Sequence, residues 1–328
     1  MTGEALVSVA GVSRYYGDRC AVSDLEFNLD RGQVLGLLGP NGAGKTTTMQ
    51  MLAGVLPPSQ GRVCIVGHDI HLRPQQAKLH IGYLPEQPPL YMDLSVDEYL
   101  LFCARLHRLS GSAARDAVSQ SKTRCGLEAV GRRLIANLSR GFQQRTGIAQ
   151  AILHAPSVII LDEPTTGLDP GQNLELRKLI RSLGREHAVI LSTHILSEVE
   201  ACCDRVQIIH EGRLVLDEAV HKFRQSSGPY RFAVALLQPP APELLCAIRG
   251  ITAVESGSDQ RLQVECEDAT HTPARLVEAA AASGWGLYEL APVRDSLEAA
   301  YLRLTRDDAA AAVSEGGARY AGTRNRLE

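Results

Sequence analysis

The stretch Gly39-Pro40-Asn41-Gly42-Ala43-Gly44-Lys45-Thr46 decides the fold. It fits the spacing G-x-x-x-x-G-K-[ST]. An apolar run, Q-V-L-G-L-L at 33–38, precedes it, and a helix-forming run of roughly ten residues starts at Lys45. Strand, glycine-rich turn and helix are the context in which this spacing cradles phosphate. The glycines let the backbone curl so that successive N–H groups face one point. The helix N-terminus adds partial positive charge there. Lys45 supplies a point charge for the β- and γ-phosphates of a nucleotide, and the Thr46 hydroxyl suits Mg²⁺.

Downstream, Val158-Ile159-Ile160-Leu161-Asp162-Glu163-Pro164 is an apolar strand that ends in two consecutive carboxylates. Buried carboxylates are costly unless a cation or partner awaits them. Asp162 can hold Mg²⁺, and Glu163 can polarise an attacking water as general base. Around these two motifs the pattern alternates between strand and helix. Short strands are expected at 61–66, 80–84, 157–162, 188–193 and 205–210, with a helix near 171–185. That alternation predicts an α/β fold with a parallel sheet flanked by helices. Residues 4–30 alternate apolar and polar and predict antiparallel strands joined at Tyr16-Gly17-Asp18. The segment 94–150 reads as helical, and E-G-R at 211–213 as a hairpin leading to an edge strand.

The chain has 328 residues, enough for about two domains. Its net charge of −3 and 5% aromatic content give no basis for a nucleic-acid surface. None of the eight cysteines forms a C-x-x-C pair or a metal-like spacing with histidine, so free thiols in a reducing cytoplasm are expected. The N-terminus lacks the basic start of a signal peptide, and no apolar run approaches the ~20 residues of a membrane span. Any membrane role is therefore expected to come through a partner.

The first domain is expected over 1–222, an accessory domain over 223–305 and a disordered tail over 306–328. Q-S-S-G-P near 224–229 reads as the linker. Beyond it the order β-α-β-β-α-β-α predicts a small α+β domain of ferredoxin-like type. Its last helix is D-S-L-E-A-A-Y-L-R-L.

Leu138-Ser139-Arg140-Gly141-Phe142-Gln143-Gln144-Arg145 stands shortly before the Asp162-Glu163 strand, and T-T-G-L-D-P follows it. With these four motifs in this order the chain resembles the ATP-binding subunit of an ABC transporter over roughly its first 217 residues. The Walker A match is 39–47, the signature match 138–144, the Walker B match 158–163 and the D-loop match 167–170. S-L-E-A-A-Y-L-R-L-T near the end is similar to a helix of the exporter branch that includes multidrug, gliding-motility and copper-processing ATPases. The resemblance implies a P-loop NTPase fold with a parallel-sheet core, an antiparallel β subdomain and a helical subdomain.

It also implies roles. Tyr16 would stack on adenine, with Tyr15 as its rival. Residues 39–46 and Thr47 would hold the phosphates, and Thr46, Asp162 and Gln87 the Mg²⁺. Glu163, Gln87 and His194 would serve hydrolysis. Ser139, Gly141 and Asp169 would complete the site of a second copy, so that two ATP molecules are sandwiched head to tail. A homodimer is the simplest form. The departures are Arg140 and Phe142, where the commoner family pattern has Gly and Gln. Phe142 is expected to pack into the helical subdomain.

The function expected is ATP hydrolysis that drives an integral-membrane exporter from the cytoplasmic face of the membrane, without nucleic acid. The competing reading is a soluble ABC ATPase acting on ribosomes or DNA. Translation-factor relatives usually carry two ATP-binding domains, and DNA-repair relatives long coiled coils between the Walker motifs; this chain shows neither. A P-loop kinase is disfavoured by the paired signature and D-loop motifs.

Overall fold

The computed structural model describes residues 5–223, 230–256, 261–293 and Tyr301. The expected linker at 224–229, the turn at 257–260, the final helix apart from Tyr301 and the tail over 306–328 lie outside the described residues. The chain divides into two units, Met1–Val220 and His221–Glu328.

The first unit opens with β1 (Val7–Tyr16), β2 (Arg19–Leu29), β3 (Val34–Leu38) and α1 (Lys45–Leu52). Next come β4 (Gln60–Ile65), the two-residue β5 (His68–Asp69), α2 (Pro74–Lys78) and β6 (Ile81–Leu84). The helical segment resolves into α3 (Val96–Leu106), α4 (Gly111–Cys125) and α5 (Arg140–Ile152). Then β7 (Val158–Asp162), α6 (Pro170–Leu183), β8 (Ala188–Thr193), α7 (Leu196–Cys202), β9 (Arg205–His210) and β10 (Arg213–Ala219) follow, with α8 (Val220–Phe223) at the boundary.

Two sheets result. The antiparallel sheet has the order β2-β1-β4-β5. The second has the order β10-β9-β3-β8-β7-β6, parallel except for the edge strand β10. Every residue of β3, β7 and β8 is buried, as expected of parallel strands covered on both faces. A core of Val7, Leu25 and Phe27 from one sheet, Leu35, Ile160 and Ile190 from the other, and Met49, Met51 and Leu52 of α1 joins the layers. The helix that begins at the phosphate loop is thus clamped by buried apolar contacts, and its N-terminus is fixed in place.

The carboxyl ends of the parallel strands are level. Leu38 is in register with Thr193, Asp162 with Ser192 and Leu84 with Leu161. Four loops therefore leave one edge of the sheet together, which is where ligands bind in open α/β sheets. Local signals fix the helices beside them. Ser95 and Glu98 form a reciprocal capping box at the start of α3. Ser139 caps α5 and Asp169 caps α6 through Oδ1, which accepts from the Gln172 N–H at 2.9 Å.

The second unit contains β11 (Tyr230–Leu236), α9 (Pro242–Cys246), β12 (Ile251–Ser256), β13 (Leu262–Cys266), α10 (His271–Ser283) and β14 (Leu287–Val293). Its strands form an antiparallel sheet of order β12-β13-β11-β14. Val234, Leu245, Val264 and Leu276 build its core.

Candidate active site

The loop between β3 and α1 is pressed against two backbones. A Cβ on Gly39 would run into the Ile209 carbonyl oxygen, and one on Gly44 would stand 2.5 Å from the Ala21 carbonyl oxygen. Gly44 also has φ +106°, which side chains rarely adopt. Lys45 is buried and folds back over the loop. Its Nζ donates to the Gly39 carbonyl at 2.8 Å and to the Pro40 carbonyl at 3.1 Å, and it lies 3.4 Å from Glu163 Oε1. Ala43 sits behind the loop, where its carbonyl accepts from the Gly212 N–H at 2.9 Å.

At the end of β7, Asp162 is fully buried. Its Oδ1 accepts from the Ser192 hydroxyl at 2.5 Å, while Oδ2 has no hydrogen-bond partner among the described residues. Burial pushes its carboxyl above the usual range; the hydroxyls of Ser192 and Thr46 oppose this, and the charges of Glu86 and Glu163 add to it. Glu163 follows with φ +48°, a left-handed conformation unusual for glutamate. The turn is held because its N–H donates to Ser192 Oγ at 2.9 Å. Glu163 Oε2 lies 2.9 Å from His194 Nδ1 and accepts from the Thr166 hydroxyl at 3.3 Å.

These groups face one cavity of about 550 Å³. Its walls include Asn41, Gly42, Gly44, Lys45, Thr46 and Thr47 of the loop, Glu163 and His194 from the strand ends, and Tyr16 from the β1–β2 hairpin. Tyr15 does not line it. The Arg14 guanidinium stands 4.8 Å from the centre of the Tyr16 ring, and Arg14 also donates to the Pro57 carbonyl. The structure thus brings together most residues expected from the sequence, with Asp162 directly behind Thr46.

Four expected residues lie elsewhere. Gln87 is exposed and does not line the cavity; its neighbour Glu86 does. Ser139, Gly141 and Asp169 are also outside its walls, and they lie near one another. A Cβ on Gly141 would stand 2.5 Å from Gln172 Oε1, and one on Gly167 would run into the Arg140 guanidinium. Phe142 is half-buried, and Gln143 is turned inward, donating to the Ile135 carbonyl at 3.1 Å. Arg19, Thr166, Glu86 and Ser192 were not singled out by sequence reasoning. Ser192 carried a signal, being a hydroxyl inside the buried run A-V-I-L-S-T, where it must find a partner.

A glycine loop at a helix N-terminus, a buried lysine, and a strand ending in Asp-Glu at the sheet's carboxyl edge define a P-loop nucleoside-triphosphate site. Residues 22–166 match the ABC transporter family model. Over 307 residues the chain is 32% identical to the daunorubicin resistance ATP-binding protein DrrA3 of Streptomyces coeruleorubidus, covering 93% of this chain and 97% of that one. It is 39% identical over 212 residues to the bacitracin transport ATP-binding protein BcrA of Bacillus licheniformis, covering 64% and 68%. Among solved structures it is similar to CbiO1 of Clostridium perfringens, part of the ABC transporter complex CbiONQ. The TM-score is 0.62 at 30% identity, with 68% of this chain and 92% of that one covered. The chain belongs to the ATP-binding subunits of ABC transporters and carries their ATPase domain.

Proposed function

We propose that the chain hydrolyses ATP to drive export through an integral-membrane partner at the cytoplasmic face. Its two ATP-binding subunits, a homodimer in the simplest case, would close head to tail. The observation that carries this reading is a division of labour. Lys45, Glu163 and His194 converge on one cavity, whereas the exposed Ser139 and Asp169 stand outside it on a shared surface, with Gly141 buried nearby against Gln172. That surface has work to do only on another copy's nucleotide.

Phosphate oxygens would replace the Gly39 and Pro40 carbonyls as partners of Lys45. Releasing Lys45 toward phosphate frees Glu163 Oε1, so the base becomes available when its substrate arrives. Glu163 would take the proton of the attacking water, with His194 Nδ1 and the Thr166 hydroxyl holding Oε2 in place. Tyr16, backed by Arg14, offers a ring face to adenine. The orphaned, buried Asp162 Oδ2 beside the Thr46 hydroxyl fits a hard divalent cation. Thr46 and Asp162 would hold Mg²⁺, which supplies neutralisation of charge on the β- and γ-phosphates. On the partner's nucleotide, the Ser139 hydroxyl and the N–H groups that begin α5 add donors to the γ-phosphate.

No helix among the described residues is long and apolar enough to cross a membrane. Contact with the bilayer would therefore pass through a partner. Exposed Tyr91, Met92, Phe102 and Leu134 gather around α3, with the Tyr91 and Phe102 rings 5.5 Å apart, and offer that partner an apolar seat. DrrA3 and BcrA are named for drug resistance and bacitracin transport, which favours export over a ribosomal or DNA role.

The test uses Ser139→Ala. ATP affinity of the isolated monomer is expected to stay as in the wild type, while ATP-dependent dimerisation in light scattering and hydrolysis both fall. Loss of ATP binding by the monomer would contradict the two-copy site. Recovery of the chain with ribosomes or DNA, rather than with a multi-span membrane protein, would overturn the export reading.

A further inference from the structure

We propose that Glu198 is a positioning residue for hydrolysis: from the first turn of α7 it holds the strand end that carries His194, and it ties that strand end to α6. The inference rests on the reading above that His194 steadies Glu163, and it adds a residue that touches neither nucleotide nor water.

Glu198 is only 1% exposed. A carboxylate so deeply buried is costly unless fixed partners stand against it. The other buried residues of α7, Val199 and Cys202, are apolar, so packing alone does not require a carboxylate at 198. Both of its oxygens face side chains of neighbouring elements. Oε2 accepts from the Thr193 hydroxyl at 2.7 Å, at the end of β8. Oε1 has no hydrogen-bond partner among the described residues but lies 3.9 Å from the Arg177 guanidinium of α6. Arg177 also donates to the Ser197 hydroxyl at 3.4 Å.

The Thr193 hydroxyl is the pivot. While it donates to Glu198, it accepts from the Ile195 N–H at 3.0 Å. One oxygen thus pins the residues on either side of His194, using a donor and a lone pair at once. Between them the imidazole reaches the cavity wall, with Nδ1 2.9 Å from Glu163 Oε2. The aim of that ring follows from the backbone that carries it. Through Arg177 the same carboxylate is joined to α6, the helix that starts at the Asp169 cap on the surface proposed for a second copy.

Phosphate release and equilibrium binding of a non-hydrolysable ATP analogue are measured on full-length wild type, Thr193→Val, Thr193→Ser, Glu198→Leu and His194→Ala. Thr193→Val keeps the shape of the side chain and removes both bonds. It is expected to lower kcat by about 10²-fold, the scale of loss when a reacting group is slightly misplaced, with analogue affinity unchanged. Thr193→Ser keeps the hydroxyl and should restore most of the turnover. Glu198→Leu should match Thr193→Val, and the double variant should fall no further than either single one. Wild-type turnover in Thr193→Val, equal losses of turnover and analogue affinity, or a Thr193→Ser as slow as Thr193→Val overturns the assignment. Should Glu198→Leu not fold, the Thr193 pair decides alone. Normal turnover in His194→Ala would instead defeat the role given to His194, on which the inference rests.

Discussion

At the scale of single residues, Glu163 gathers the most constraints. Its backbone sits in a left-handed conformation, which costs about 1–3 kcal/mol for a residue with a side chain. Ser192 answers that cost by accepting from its N–H while donating to Asp162. Lys45, Thr166 and His194 then hold the two carboxylate oxygens. Glu163→Gln keeps the shape and removes the base. It should retain ATP binding, lower hydrolysis by about 10²–10⁴-fold and accumulate the ATP-bound dimer. Near-normal turnover, measured by phosphate release, would end the general-base assignment. The placement of Asp162 and Glu163 at a buried strand end was legible in the sequence because an apolar strand ending in paired carboxylates demands an explanation. Glu86 was not legible. Two neighbouring polar residues in a proline-flanked loop look alike in sequence, and only the path of the loop decides which one faces inward.

Among the elements, the junction of β3, the phosphate loop and α1 is the best determined. Its motif, its flanking strand and its helix were all readable, since local spacing and apolar periodicity specify them. The pairing of β4 with β1, the two-residue β5, and the contact of Arg140 with Gly167 were not, because each depends on residues brought together from distant parts of the chain. The helical segment was recognised as such, but its division into α3, α4 and α5 follows side-chain caps at Ser95 and Ser139 that compete with other serines nearby, and α4 starts after Ser110 without a side-chain cap. The loop itself allows a sharp comparison. Gly42 and Gly44 both have positive φ, but a Cβ on Gly42 meets nothing within 4 Å. Gly42→Ala should therefore cost only the conformational penalty, about 1 kcal/mol. Gly44→Ala adds collision with the Ala21 carbonyl and should cost about 1–3 kcal/mol more, together with loss of ATP binding. Equal denaturation midpoints for the two variants would show that the loop is not held against β2 as described.

At the scale of the whole molecule, the helical segment is tied to the parallel sheet through histidines that respond to acid. His107 follows α3 and His154 follows α5; their rings stack 3.8 Å apart, and His154 Nε2 stands 3.0 Å from the Ile81 carbonyl of β6. Burial pushes His154 down to about 4, with the His107 charge pressing the same way, the Ile81 carbonyl opposing and His80 adding a smaller push. His107 and His187 are also lowered by burial. A depressed histidine pKa means that the unfolded chain takes up the proton first. The neutral ring's contribution to stability is thus complete above about pH 6.5 and is lost as pH falls from there toward 4. The slope is at most about 1.4 kcal/mol per pH unit for one histidine, and solvent screening of a half-buried ring reduces it. Carboxylates with lowered pKa, such as Glu98, Glu186 and Asp268, act only at the acid end of this range and below, whereas Asp162, raised by burial, acts with the opposite sign and gains stability as pH falls. His154→Gln keeps a donor toward Ile81 and cannot titrate. Urea unfolding of the full chain should be followed by circular dichroism between pH 7 and 5, because the single tryptophan, Trp285, reports only on the second unit. The wild type should lose stability across that interval, and His154→Gln should show a visibly flatter profile. If the two profiles run parallel, the half-buried imidazole pair is not what makes the joint between helices and sheet sensitive to acid.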